Sequence, residues 1–82
     1  DDGDMAIFIK FEFGDRKTIK LLVESDAITI GTVKTLIKNK EGIPRNQQRL
    51  RFGHGLTLVD DRTLSSYPIA DGDTIALVVF WV

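Results

Sequence analysis

The chain has 82 residues, 43% hydrophobic and 28% charged; that excludes the low-hydrophobicity, high-charge class that stays disordered and leaves room for one small domain, which at this size buries roughly 60–65% of the surface its unfolded chain exposes. Eleven Lys and Arg against 12 Asp and Glu give a net charge of −1, so no global field draws the chain to nucleic acid or an anionic membrane, and protein partners are the expectation. There is no cysteine, which removes disulfides and thiolate zinc sites as sources of stability and suits the cytoplasm or nucleus, and no apolar run reaches the roughly 18 residues of a membrane-spanning helix.

The lead Asp1-Asp2-Gly3-Asp4 is too polar and short to pack and is expected to be a linker or disordered, leaving residues 5–82 as the single domain. Residues 5–13 alternate, with Met5, Ile7, Ile9, Phe11 and Phe13 on one face and Ala6, Phe8, Lys10 and Glu12 on the other, which predicts a strand. After Gly14-Asp15-Arg16, residues 17–24 repeat the pattern with Ile19, Leu21 and Val23 against Thr18, Lys20 and Leu22, predicting a β-hairpin. Pairing Ile7 with Leu21 or with Val23 keeps both apolar sets on one face, so the pattern excludes a one-residue slip and leaves these two registers open.

From Ser25 to Gly42 the period changes. Ile30, Val33, Leu36 and Ile37 recur at helical spacing with lysines between them, predicting an amphipathic helix near 30–41 capped by Thr29 and ended by Gly42 and Pro44. Gln48–Phe52 reads as a short strand, Gly53-His54-Gly55 as a turn, Leu56–Val59 as an extended piece, and Asp60–Pro68 as loop or tight helical turn. The run Thr74–Val82 is strongly β-forming and apolar on both faces: Ile75, Leu77, Val79 and Trp81 alternate with Ala76, Val78, Phe80 and Val82. A strand of that kind belongs at the centre of a sheet, yet one short helix covers only one sheet face, so the other is expected to be an interaction surface or to lie under another domain.

Three stretches, Lys40-Glu41-Gly42-Ile43-Pro44, Gln47-Gln48-Arg49-Leu50 and Arg62 through Ile69, resemble ubiquitin, and looser similarity runs from Met5 to about Val79. The resemblance implies an α+β, ubiquitin-like β-grasp fold: a mixed sheet of four to five strands packed on one helix, with the first and last strands adjacent and parallel. It also implies that the Tyr67 hydroxyl anchors a loop and that Lys34 and Asp60 form a partly buried ion pair. Ubiquitin-like modifiers act through a flexible tail ending in two glycines. Here the sequence reads Val79-Phe80-Trp81-Val82, so the expectation is a non-conjugated interaction domain, part of a larger protein; the alternative is a modifier whose glycine tail lies beyond these residues.

The family's apolar recognition patch, built from leucine, isoleucine, histidine and valine, falls on Glu12, Arg51, Ala76 and Val78, so the resemblance implies weak binding or none to typical ubiquitin receptors. Because Arg49 and Arg51 alternate on one strand and share a face with Val78 and Phe80 on the last, the expected protein-binding surface comprises Arg49, Arg51, Ala76, Val78 and Phe80, with Phe8 and Glu12 as a secondary contact. The expected partner is a protein with acidic and apolar groups, rather than nucleic acid or membrane. No nucleophile with a base and no paired carboxylates at catalytic spacing are present, and the lone His54 lies between glycines; no enzyme activity, cofactor or metal is expected.

Overall fold

Alternation along Met5–Phe11 (β1) and Thr18–Val23 (β2) produces two strands that bury one face each. The computed structural model describes residues 5–80; the expected lead at residues 1–4 and the projected strand end at residues 81–82 lie outside the described residues. The chain continues through one helix, α1 (Ile30–Glu41), and three further strands, β3 (Gln48–Phe52), β4 (Leu56–Thr57) and β5 (Thr74–Val79), with single 3₁₀ turns at Arg45–Gln47 and Leu64–Ser66. The strands form one mixed sheet in the order β2-β1-β5-β3-β4, with β1 and β5 parallel at its centre.

Of the two registers compatible with the sequence, Ile7 pairs with Leu21. The Phe11 amide donates to the Lys17 carbonyl at 2.8 Å and closes the hairpin just past that register. Here the structure departs from simple alternation. Phe13 leaves the core face and is 37% exposed, because β1 ends at Phe11 and the chain turns through Gly14 and Arg16, both at positive φ (56° and 58°). Its ring instead stacks on Phe11 with centroids 5.3 Å apart. The expected extended piece Leu56–Val59 is also shortened: the strand is confined to Leu56 and Thr57, while the Leu58 amide still donates to the Leu50 carbonyl of β3 at 2.9 Å as its side chain dips into the core, and Val59 faces out.

The helix keeps its predicted limits. The Thr29 hydroxyl accepts from the Thr32 amide at 3.2 Å, and Gly42 adopts the left-handed conformation (φ 78°) that lets its amide reach the Lys38 carbonyl at 2.7 Å, an arrangement in which a Cβ costs energy. Ile30, Val33 and Ile37 pack on Ile7, Ile9, Leu50, Ile75 and Leu77, all fully buried. Burial of such side chains contributes roughly 1.5–3 kcal/mol each, and a twelve-residue helix draws its stability from this face rather than from its own hydrogen bonds. Gln48 ties helix to sheet: its buried amide group donates to the carbonyls of Lys34 and Ile43 at 3.0 and 2.9 Å.

Candidate functional site

With Ile7, Ile9, Leu21, Leu50, Ile75 and Leu77 turned into the core beneath the helix, the opposite sheet face is left open, and the register decides which residues share it. Ala76 on β5 lies between Lys10 on β1 and Arg51 on β3; Val78 lies beside Arg49. Just past β1, the Glu12 amide donates to the Leu77 carbonyl at 3.0 Å, which extends the parallel ladder and places Glu12 level with Val78. The sequence-selected residues Glu12, Arg51, Ala76 and Val78 thus line one open depression of about 330 Å³ together with Gly53 and Gly55.

Local structure explains how Arg51 comes to lie there. The β3–β4 turn carries Gly53 and Gly55 at φ 67° and 98°, and a Cβ added to Gly55 would stand 2.8 Å from an Arg51 guanidinium nitrogen. Glycine therefore leaves the space over which the guanidinium rests. Reading the two glycines as turn residues accounts for their backbone and misses this second role; the signal for it is the proximity of Arg51 to a tight glycine turn.

Arg49 and Phe80 meet at the edge of the depression. The guanidinium carbon of Arg49 lies 5.3 Å from the Phe80 ring centroid, a cation–π geometry, and Phe80 is held by its own amide donating to the Gln47 carbonyl at 3.0 Å. Phe80 thus both covers Arg49 and forms part of the face. Phe8 also lies on this face, beside Lys20 and Thr74, two rows from Glu12 rather than in contact with the depression. Among the described residues the ion pairs are Lys17–Glu41, Lys34–Asp60 and Arg45–Asp60, none of which involves Lys10, Lys20, Arg49 or Arg51.

The two structural roles implied by the resemblance are present as geometry. The Tyr67 hydroxyl accepts from the Val59 amide at 2.8 Å, and the Lys34 ammonium, 11% exposed, lies 2.6 Å from the Asp60 carboxylate. Among the described residues no group of three or more His, Asp or Glu side chains is arranged to hold a metal ion.

A model of the ubiquitin family matches residues 7–79. The chain belongs to the ubiquitin family. This ubiquitin-like domain is 44% identical over 50 residues to the ubiquitin-like protein NEDD8 of Dictyostelium discoideum, a match covering 61% of this chain and 64% of the relative. It is 34% identical over 74 residues to the ubiquitin domain-containing protein DSK2b of Arabidopsis thaliana, covering 90% of this chain and 13% of the relative. With ubiquitin-like protein 4A of Xenopus laevis the identity is 40% over 55 residues, 67% of this chain and 36% of the relative. The ubiquitin-like domain spans less than two thirds of the length of each of these curated relatives.

Proposed function

We propose that this ubiquitin-like domain is a non-conjugated protein-interaction module of a larger protein, with the open sheet face around Arg51 as its recognition surface. The observation that carries the proposal is the placement of Arg51 beside Ala76 and across one depression from Glu12 and Val78. An arginine among small and apolar side chains is the composition of interface centres, and the charges at positions 12 and 51 oppose docking of a purely apolar surface. Burying either charge without a partner costs on the order of 1–3 kcal/mol, which is enough to redirect partner choice.

Support for a module comes from the match to DSK2b, in which a segment like this one makes up 13% of a longer protein. The other reading, a modifier bearing a glycine tail, draws on the match that spans 64% of a relative. Incubating the full-length gene product with ATP and activating enzymes separates the two: a thioester adduct establishes the modifier, and its absence with every enzyme tried favours the module. For the surface itself, the test is capture of partners from extract by the wild-type domain and by the double variant Arg51→Ala, Phe80→Ala. Arg51 is exposed, Phe80 is half-buried, and neither belongs to the buried core, so the variant is expected to fold, as a thermal melt checks, and the expected result is loss of the captured proteins. Unchanged capture would remove the open face from consideration.

A further inference from the structure

On the helix side of the sheet, away from the open face, Phe13, Gly42, Ile43, Pro44, Gln47 and Val79 line an open pocket of about 320 Å³. Each wall has its own origin. Phe13 is brought there by the turn that ends β1, its ring stacked on Phe11 and still 37% exposed. Gly42 to Pro44 are the exit of α1, where Gly42 stops the helix and Ile43 turns back to pack against the core. Val79 closes β5 and packs against the same core, whereas its neighbour Val78 lines the Arg51 depression on the opposite face. None of the six lining residues is charged. Lys17 and Glu41, which flank Phe13 and Ile43 in the adjoining groove, are paired with each other at 2.8 Å. The pocket therefore suits a large apolar group and offers nothing to a charged one.

We infer that the occupant of this pocket is Trp81 of the same chain. β5 ends at Val79, but its ladder with β3 runs one residue further: the Phe80 amide donates to the Gln47 carbonyl at 3.0 Å. The chain is thus still extended, beside a pocket wall, where the described residues end. Extended residues two apart point to the same face and stand about 7 Å apart along the strand. Val79 faces the pocket, and the next residue with that facing is Trp81, which lies outside the described residues. An indole supplies a large flat apolar surface, and its N–H can stay at the rim in water. Tethered two residues from the wall, it is present at an effective concentration of roughly millimolar or higher, so an apolar side chain of a partner or of a second copy competes at a disadvantage. The chain beyond Trp81 then leaves the domain from a packed ring, and an enzyme that needs an extended tail must first pull that ring out. Because the pocket is on the helix side of the sheet, its filling does not depend on what the open face binds.

Trp81 is the only tryptophan in the sequence, so indole fluorescence and indole ring resonances report on it alone. In the isotope-labelled 82-residue chain, its ring protons are expected to show nuclear Overhauser contacts to the side chains of Phe13 and Ile43. Its emission is expected to lie to the blue of free N-acetyltryptophanamide, with weaker quenching by acrylamide. Phe13→Ala removes a wall that is not part of the buried core, and is expected to shift the emission to the red and strengthen quenching while the amide spectrum stays that of the folded domain. Trp81→Ala is expected to move the amide resonances of Gly42, Ile43 and Gln47, to leave those of Phe8 and Arg51 in place, and to lower the melting temperature by on the order of 5 °C. Emission and quenching like those of the free amide, emission that Phe13→Ala leaves unchanged, or ring contacts to Phe8 and Val78 on the open face each overturn the inference. Contacts to Phe13 and Ile43 that fade on dilution also overturn it, since the occupant is then a second copy. Failure of the Arg51→Ala, Phe80→Ala variant to lose captured proteins overturns the open-face reading alone, so the two fail separately.

Discussion

The Tyr67 ring is 7% exposed, and its hydroxyl accepts the Val59 amide at 2.8 Å while the Arg62 guanidinium lies over the ring at 4.8 Å. Tyr67→Phe leaves that partly buried amide without its acceptor and creates no cavity, so a loss of about 1–2 kcal/mol is expected, seen as a lower denaturant midpoint at unchanged slope. Lys34 and Asp60 set a related problem with unequal partners, the ammonium 11% exposed and the carboxylate 52%. Asp60→Asn keeps the shape and strands a mostly buried positive charge, whereas loss of the Arg45 contact at 3.8 Å, exposed on both sides, matters little. Because solvent screens the Asp60 side of the pair, the expected cost is about 1–2 kcal/mol, and Arg45→Ala measured in the same equilibrium unfolding experiment should cost far less. Neither role is readable from local pattern alone. Tyr67 and Val59 are brought together by a loop, and Lys34 falls in the polar part of the helical pattern, so both were accessible only through resemblance to a known family.

At the scale of elements the helix is self-announcing, since Thr29, the Ile30–Val33–Ile37 spacing and Gly42 state its start, buried face and end in local terms that the folded chain obeys. Two substitutions separate its ends. Thr29→Ala removes the acceptor of the Thr32 amide and is expected to cost about 1 kcal/mol; Gly42→Ala forces a side chain into φ 78° and is expected to cost about 1 kcal/mol as well. Thermal unfolding checks both, the drop in melting temperature being the readout. The strands were legible as faces and not as lengths. Period-two alternation continues through Phe13 in the sequence, but the pleat stops where Gly14 and Arg16 take left-handed backbone, and Phe13 swings out to stack on Phe11. Register had the same limit: the two pairings differ by two residues, alternation is blind to an even shift, and the turn geometry makes the choice.

For the molecule as a whole, the fold and the surface divide the sequence between them. Inward positions build a ubiquitin scaffold, and outward positions on the same strands carry Arg49, Arg51, Ala76 and Val78. That the surface residues converge follows from strand order, β5 lying between β1 and β3, and strand order came from resemblance; single-strand periodicity cannot place Glu12 and Arg51 on two sides of Val78. If the altered face rather than the scaffold sets partner choice, the family's ordinary recognition should be recoverable without touching the core. The triple variant Glu12→Leu, Arg51→Ile, Ala76→His restores the residue types of the family patch around the retained Val78. Each change replaces a residue of the open face, so stability should move by little, roughly 0.5 kcal/mol or less per site away from special features. Removing two charges from the path of an apolar ubiquitin-binding helix relieves on the order of 1–3 kcal/mol at each position, which corresponds to a gain in affinity of about tenfold or more. Isothermal titration of a ubiquitin-binding helical domain into wild type and variant measures it. An unchanged, weak affinity in a well-folded variant would mean that a part of the molecule other than this face turns such receptors away.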